Sequence, residues 1–307
     1  MSKTELHRIA ETLDQFPFAK KLAVEVCSHC NLECIMCHQP TMLRPKGVMP
    51  FELWQKCADE VAEIAPDTEC WFSFCGEPLL VPELLLEMVS YGKGKGLKSL
   101  NLNTNGMLLT PNLAEPILDS GLDLVVFGID GLSASTYEKI RVGGERSTLF
   151  SNIEHLLAER SKRESAPEIQ VQFIEMDENR HEANDFEAYW LERGATVKLR
   201  KQLSWGGRLE SPLGVPAHDR IPCPWVINLM HVFWDGRVPR CSGDTEGNYC
   251  VGNAWDEQLL TLWQKIFPFR QTHLDRDFDK LPMQCQQCKD WMTGVADRVR
   301  PDGHMSA

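Results

Sequence analysis

An α/β fold is predicted, in which strands and helices alternate through residues 20–203 and a smaller second region follows. Three observations carry this expectation. Six strand-like runs are each separated by a helix-like run, the spacing of parallel βαβ units. At residue 204 the texture changes to a stretch rich in glycine and proline. Seven of the chain's 12 cysteines fall into two groups, one on each side of that change.

The elements follow in order. Residues 1–19 read as an amphipathic helix, and KLAVEV as a buried strand running straight into a cysteine loop. Met49-Pro50 opens a helix, FELWQKCADEVAEI, whose apolar residues recur at helical spacing. CWFSF is a strand, VPELLLEMVSYGKGKG a helix, LKSLNLNT a strand, TPNLAEPILDSG a short helix and LDLVVFGID a strand. Gly92, Gly94 and Gly96 end a helix before a strand, the reverse of a dinucleotide-binding turn, so they read as a helix stop. A helix from Ser147 to Arg163, the strand EIQVQFIEM, the helix EANDFEAYWLERG and the strand ATVKLRKQL complete the series. Six such strands fit a partial barrel or an open parallel sheet. Residues 204–220 form a bridge, and residues 221–295 a small domain. In that domain VINLMHVFWDGRVPRCS reads as a β-hairpin turning at Asp235-Gly236, followed by one helix, WDEQLLTLWQKIFPF, and CQQC. Residues 296–307 are a tail.

Composition narrows the function. A hydrophobic content of 43% and a charged content of 25% suit a globular domain with a sizeable core. The formal net charge of −12 argues against nucleic-acid binding; it would suit a cationic substrate, although solubility is the plainer reading. The N-terminus lacks a secretory pattern and no apolar run is long enough to span a membrane, so a cytoplasmic protein is expected. In a reducing compartment, cysteines at close spacing point to metal or catalysis before disulfides.

Cys30, Cys34 and Cys37 give C-x3-C-x2-C directly after the first strand. Three thiolates on one tight loop can hold three irons of a cubane and leave the fourth open to a small molecule's amine and carboxylate. A zinc site is the rival, with His29 or His38 as a fourth ligand. The run CNLECIMC resembles the signature of the radical S-adenosylmethionine superfamily, with Met36 where an aromatic is usual. Further motifs appear in the superfamily's order at predicted strand ends, where barrel active sites are built. Gly76-Glu77-Pro78 resembles the GGEP-type turn that meets the methionine amino group. Asn103, Thr104, Asn105 and Gly106 resemble the TNG element beside the ribose. Asp130 stands in GIDG where relatives carry SxDG, and Arg141 matches a position that meets the methionine carboxylate. The resemblance implies a partial (β/α)6 TIM-like barrel, a SAM-binding 4Fe–4S cluster, an external electron donor such as flavodoxin or ferredoxin, and a 5′-deoxyadenosyl radical that takes a hydrogen atom from a substrate carbon.

The second group is Cys223 and Cys241 beside the predicted hairpin, with Cys285 and Cys288 in CQQC. Four thiolates suit zinc or a fully ligated cluster. The order of Cys223, WDGRVPRC, Asp244, Gly252-Asn253, a tryptophan-bearing helix and the closing CxxC resembles the short SPASM fold called a twitch domain, which implies one auxiliary 4Fe–4S cluster. The spacing is similar to that of enzymes of the 2-deoxy-scyllo-inosamine dehydrogenase type.

Cys57 and Cys70 read as buried structural thiols, Cys27 as a packing residue, and Cys75 as structural though beside the cofactor. Cys250, in DTEGNYCVGN, is a candidate hydrogen-atom donor of the kind used by enzymes of the neomycin epimerase type; otherwise it fills the start of a short strand. Lys201, Ser204, Trp205 and Arg208 are candidates to face substrate, and Glu175 and Asp177 candidate acids or bases that read more simply as solvated charges. His231 reads as a satisfied histidine. The leading expectation is epimerisation of a sugar-like or aminoglycoside-like carbon with Cys250 as donor. The alternatives are oxidation of a secondary alcohol through the auxiliary cluster, modification of a peptide, and a non-catalytic zinc or iron–sulfur protein. The substrate is expected to be a small polar molecule or a peptide.

Overall fold

The structure is a computed structural model that describes residues 18–210, 220–292 and 298–300. The N-terminal helix expected in residues 1–19, most of the bridge and most of the tail lie outside the described residues. Six strands run in parallel: β1 (Lys21–Val24), β2 (Glu69–Phe72), β3 (Ser99–Thr104), β4 (Leu124–Gly128), β5 (Glu168–Glu175) and β6 (Thr196–Lys201). The helices between them are α1 (Phe51–Ile64), α2 (Pro82–Gly94), α3 (Pro111–Asp119), α4 (Ala134–Ile140), α5 (Arg146–Arg160) and α6 (Ala183–Glu192). The strands are buried on both faces, as parallel strands covered by helices must be. Trp54, Phe72, Phe127, Phe173, Phe186 and Trp190 fill the layer between sheet and helices and are fully buried.

Helix α4 is absent from the sequence-based series. It is short, but its start is marked: the Ser133 hydroxyl caps it by accepting from the Thr136 amide. The single helix expected after the second cysteine group is two, α8 (Leu259–Lys265) and α9 (Phe267–Leu274), because Pro268 removes an amide that a continuous helix would need.

The expected hairpin is also rearranged. The chain does turn at Asp235-Gly236, with Gly236 at φ 88°, and the Phe233 amide donates to the Arg237 carbonyl. The arms then part. Strand β7 (Leu229–Val232), preceded by α7 (Pro224–Asn228), joins the large sheet in parallel beside β1, pairing Lys21 with Leu229 and Ala23 with His231. Strand β8 (Arg237–Pro239) instead forms a small antiparallel pair with β9 (Cys250–Asn253). The reason is the edge of the sheet: β1 has β2 on one side only, and β7 satisfies its other row of backbone groups. At the far edge β10 (Arg298–Arg300), within the expected tail, pairs antiparallel with β6. The sheet order is β10-β6-β5-β4-β3-β2-β1-β7, so seven strands are parallel and their C-terminal ends share one edge.

Candidate functional site

Beyond β1 the chain enters the cysteine loop, which is fixed from both sides. The Glu33 and Ile35 amides donate to the Val142 and Ile140 carbonyls at 2.9 and 3.0 Å, and the Gly47 amide donates to the Ser28 hydroxyl at 2.7 Å. Leu32, Met36, Ile140 and Met176 form a separate small core around the loop. Cys30, Cys34 and Cys37 all line a cavity of about 290 Å³ at the C-terminal edge of the sheet. Each sulfur has an N–H donor: Asn105 Nδ2 at 3.8 Å from Cys30, Arg141 Nη1 at 3.6 Å from Cys34, and the Gln39 amide at 3.4 Å from Cys37. Burial pushes the Cys30 thiol up and the Cys37 thiol up to about 12. Thiolates in this setting need a metal's charge to balance them, while the N–H donors are already aimed at sulfur. The donor set fits a cluster with three protein ligands.

The strand-end motifs surround the same cavity. The Glu77 carboxylate is buried and accepts three bonds: Oε1 from Thr104 Oγ1 at 2.6 Å and the Leu79 amide at 2.9 Å, and Oε2 from the Asn105 amide at 2.7 Å, which leaves Oε2 one acceptor site. Burial raises its pKa against those bonds. Gly76, Glu77, Asn103, Thr104, Asn105 and Arg141 line the cavity. Pro78 and Asp130, expected among the cofactor contacts, are not among the lining residues; Pro78 begins the short 3-10 turn that carries Glu77. Asp130 is wholly buried, with φ 65°, and lies 2.5 Å from Arg141 Nη2 while accepting from the Ile174 amide. It therefore positions Arg141. Burial works against the Arg141 charge, but Asp130 and Cys34 beside it hold its pKa above the usual value. Two glycines make the approach possible: a Cβ on Gly76 would lie 1.8 Å from the Cys27 carbonyl oxygen, and one on Gly128 2.3 Å from Arg141 Nη2.

The remaining wall comes from the end of β6 and from the C-terminal region. Trp205 lines it with Nε1 bonded to the Met36 carbonyl at 2.9 Å, and Trp225, Leu229, His231 and Ser242 complete it. Phe74 adds an aromatic ring 4.2 Å from the His231 ring, on a backbone held at φ 147°. His231 is not the satisfied histidine expected: its Nδ1 is buried and has no hydrogen-bond partner among the described residues, and neither has Ser242 Oγ. Sequence spacing carried no signal for either, since β7's place in the sheet decides which way its side chains face.

The second cysteine group also assembles. Cys223, Cys285 and Cys288 are close enough to Cys241 to raise its pKa, after the larger effect of burial. Here too the sulfurs receive amides: Gly243 to Cys241 at 3.2 Å and Asp290 to Cys288 at 3.3 Å. Cys223 is the N-cap residue of α7, and its carbonyl accepts from the Val226 and Ile227 amides at 3.1 Å each. Cys285 lies in α10 (Met283–Gln287) and Cys288 just after it. Four neighbouring thiols, two of them with amide donors, fit a cluster wholly ligated by protein.

The other candidates separate. Cys250 is not among the cavity-lining residues; its thiol donates to the Gly247 carbonyl at 3.4 Å, and burial pushes its pKa up to about 11. Phe233, fully buried, stacks on Phe74 at 5.6 Å. Cys75 does line the cavity, while Cys57 and Cys70 are buried in the core. Glu175 is paired with Lys201 at 2.5 Å, and Asp177 with Arg180. Ser204 is bonded to Asp290 at 2.9 Å.

Arg208 belongs to a clamp between the two regions. The Leu43 and Arg44 amides donate to the Glu246 carboxylate at 3.1 and 2.9 Å. Arg208 reaches His38 at 3.2 Å and Glu246 at 3.4 Å, and Arg44 Nε donates to the Thr245 carbonyl at 2.7 Å. The Arg44 guanidinium is paired with buried Glu25 and stacks over Phe233.

Comparison with known proteins agrees with this geometry. The family model of the radical SAM superfamily matches residues 24–179, and that of the iron–sulfur cluster-binding SPASM domain matches residues 223–289. The chain belongs to the radical SAM superfamily and is a radical SAM enzyme with a SPASM-type C-terminal region. Its cofactors are S-adenosylmethionine, a 4Fe–4S cluster that binds it, and an auxiliary cluster. It is similar to BtrN solved with AdoMet and 2-DOIA, with a TM-score of 0.60 and 20% identity over 89% of this chain and 92% of that one. It also resembles Streptococcus suis SuiB bound to precursor peptide SuiA, with a TM-score of 0.65 and 14% identity over 93% of this chain and 73% of that one. Both likenesses are of fold. A Pyrococcus furiosus protein described as a tungsten-containing aldehyde ferredoxin oxidoreductase cofactor-modifying protein is 34% identical over 113 residues. That match spans 37% of this chain and 31% of the Pyrococcus protein. No helix among the described residues is long and apolar enough to cross a membrane.

Proposed function

We propose that the enzyme oxidises a secondary alcohol on a small polar substrate, with Cys30, Cys34 and Cys37 holding the SAM-binding cluster and Cys223, Cys241, Cys285 and Cys288 the auxiliary one. When bound, the reduced cluster and S-adenosylmethionine supply a 5′-deoxyadenosyl radical able to take a hydrogen atom from an unactivated carbon. The chain's own residues bind, orient and exclude water. Glu77 offers its carboxylate to the methionine amino group and Arg141, set by Asp130, its guanidinium to the methionine carboxylate. Asn103 and Asn105 stand where the ribose is expected. The apolar sheath of Leu32, Met36 and Met176 keeps water from the thiolates.

The observation that carries oxidation is the wall that the C-terminal region gives to the cavity. Ser242 follows the auxiliary ligand Cys241, and Trp225 lies two residues after Cys223, so the substrate space abuts the auxiliary site, which would accept the electron left after hydrogen-atom removal while the hydroxyl proton passes to water. Epimerisation with Cys250 as donor loses its support, because that thiol is bonded to Gly247 and is not among the cavity-lining residues. Turnover in deuterated water tests the choice. Oxidation gives a ketone with no solvent deuterium at the abstracted carbon, and Cys250→Ala keeps at least about half of the activity. An epimerised product carrying one deuterium, with Cys250→Ala inactive, refutes oxidation. Proposed partners are the substrate and an external low-potential electron donor such as flavodoxin or ferredoxin.

A further inference from the structure

We infer that His231 and Ser242 are the residues of the C-terminal wall that bind substrate, and that together they hold hydroxyl groups of an uncharged polyol. The inference rests on the oxidation proposed above and names its substrate class. Strand β7 supplies the first half of the argument. Met230 and Val232 are fully buried in the core, whereas Leu229 and His231, the alternate positions, line the cavity. The period of two in a strand thus turns the imidazole towards the substrate space. Its register partner on β1 is Ala23, a small residue that leaves the ring room.

The second half is hydrogen-bond satisfaction. His231 is 6% exposed and Ser242 3%, and His231 Nδ1 and Ser242 Oγ have no partner among the described residues. Buried polar atoms are rarely left so, and two of them on one cavity wall are the pattern of a site that a ligand completes. Desolvation alone pushes the His231 pKa down to about 3, with no charged group contributing, so the ring is a neutral imidazole. A neutral imidazole and a hydroxyl each offer one donor and at least one acceptor, which matches hydroxyls.

Trp205, Trp225, Leu229, His231 and Ser242 carry no charge and offer nothing to offset the desolvation of an ammonium. The charged side chains that line the cavity are engaged: Glu77 with three donors, Arg141 with Asp130, and Arg200, at the end of β6, with Gln172 at 3.4 Å. The tryptophan rings, 6.4 Å apart between centroids, present apolar surface to the C–H face of a polyol. An amine-rich substrate, which the overall negative charge would have suited, has no carboxylate waiting for it here.

Calorimetric titration of the anaerobic holoenzyme with S-adenosylmethionine tests this, using scyllo-inositol as the neutral probe, scyllo-inosamine as its ammonium counterpart, and a short neutral peptide. Scyllo-inositol is expected to bind at least tenfold more tightly than the other two. His231→Leu should weaken it at least tenfold and Ser242→Ala several-fold. His231→Asn, which returns a polar atom near the Nδ1 position, should recover part of the loss while all variants keep the wild-type cluster absorbance. No binding of scyllo-inositol, equal binding by His231→Leu, or tighter binding of the amine or peptide overturns the inference. Product analysis after turnover by the reduced holoenzyme separates the two levels. If scyllo-inositol binds and no ketone forms, the oxidation falls alone; if scyllo-inositol does not bind, the substrate class falls whatever the reaction.

Discussion

Replacing Arg44 with methionine tests how the two regions are held together. In the native protein this guanidinium is 6% exposed and faces Glu25, 1% exposed, with Nη1 2.9 Å from the carboxylate. It also gives Nε to the Thr245 carbonyl at 2.7 Å and lies 4.2 Å over the Phe233 ring. Methionine keeps much of the apolar stem but leaves Glu25 buried with only the Trp234 amide, 3.2 Å away, among its described donors. Breaking a buried pair from one side costs on the order of 3–5 kcal/mol, because the remaining charge is uncompensated. In a protein of this size that corresponds to a fall in Tm on the order of 10 °C. Thermal unfolding of the anaerobic holoprotein, followed by far-UV circular dichroism, reads it. Arg44→Met/Glu25→Leu should be less damaged than Arg44→Met alone, since no charge is stranded. A fall below about 2 °C for the single variant, or a double variant less stable than Arg44→Met alone, would refute the reasoning.

Other outcomes follow from the geometry. Gly76→Ala, whose Cβ would lie 1.8 Å from the Cys27 oxygen, should lower iron from about eight per chain to about four by distorting the first cysteine loop; iron assay and electron paramagnetic resonance report which cluster remains. Serine at Cys223, Cys241, Cys285 and Cys288 together should leave about four irons and the signal of the SAM-binding cluster, and retention of about eight would refute the assignment. Glu246 gives a pH signature. Burial works against its charge, but the Leu43 and Arg44 amides and then Arg208 outweigh that and hold its pKa below the usual value. A carboxylate depressed in this way stabilises the fold fully above its unfolded pKa of about 4.3 and loses that contribution as pH falls through the lower folded value. The urea midpoint of Glu246→Gln should therefore lie below wild type at pH 6 and converge on it as pH falls below about 4.

The periodic part of the fold was legible in the sequence. Six strands with helices between them follow from apolar runs and glycine stops, and the C-x3-C-x2-C loop and strand-end motifs mark which edge carries the site. What local pattern could not tell was where the C-terminal strands pair. The turn at Asp235-Gly236 is a local property and was readable, but β7's partner is β1, about two hundred residues earlier, and the open edge of β1 exists only once the sheet has formed. His231 and Ser242 were misread or passed over for the same reason. A histidine among apolar neighbours looks the same in sequence whether its ring meets a partner or a cavity. Cys250 shows the converse: a suggestive setting in sequence, and a thiol turned to its own loop in the structure. Helix α4 and the break before α9 were within reach, through the Ser133 cap and Pro268.

The pairing of β7 with β1 reaches beyond the cavity. A module that merely docks beside a barrel can be cut off, grafted or exchanged between relatives as a cassette. Here the strand carrying His231 is a stave of the barrel sheet itself, so truncation after residue 203 would bare the Lys21–Val24 edge, an open template for a neighbouring chain. Any reshuffling of specificity by swapping C-terminal regions would have to carry that stave across intact, register included.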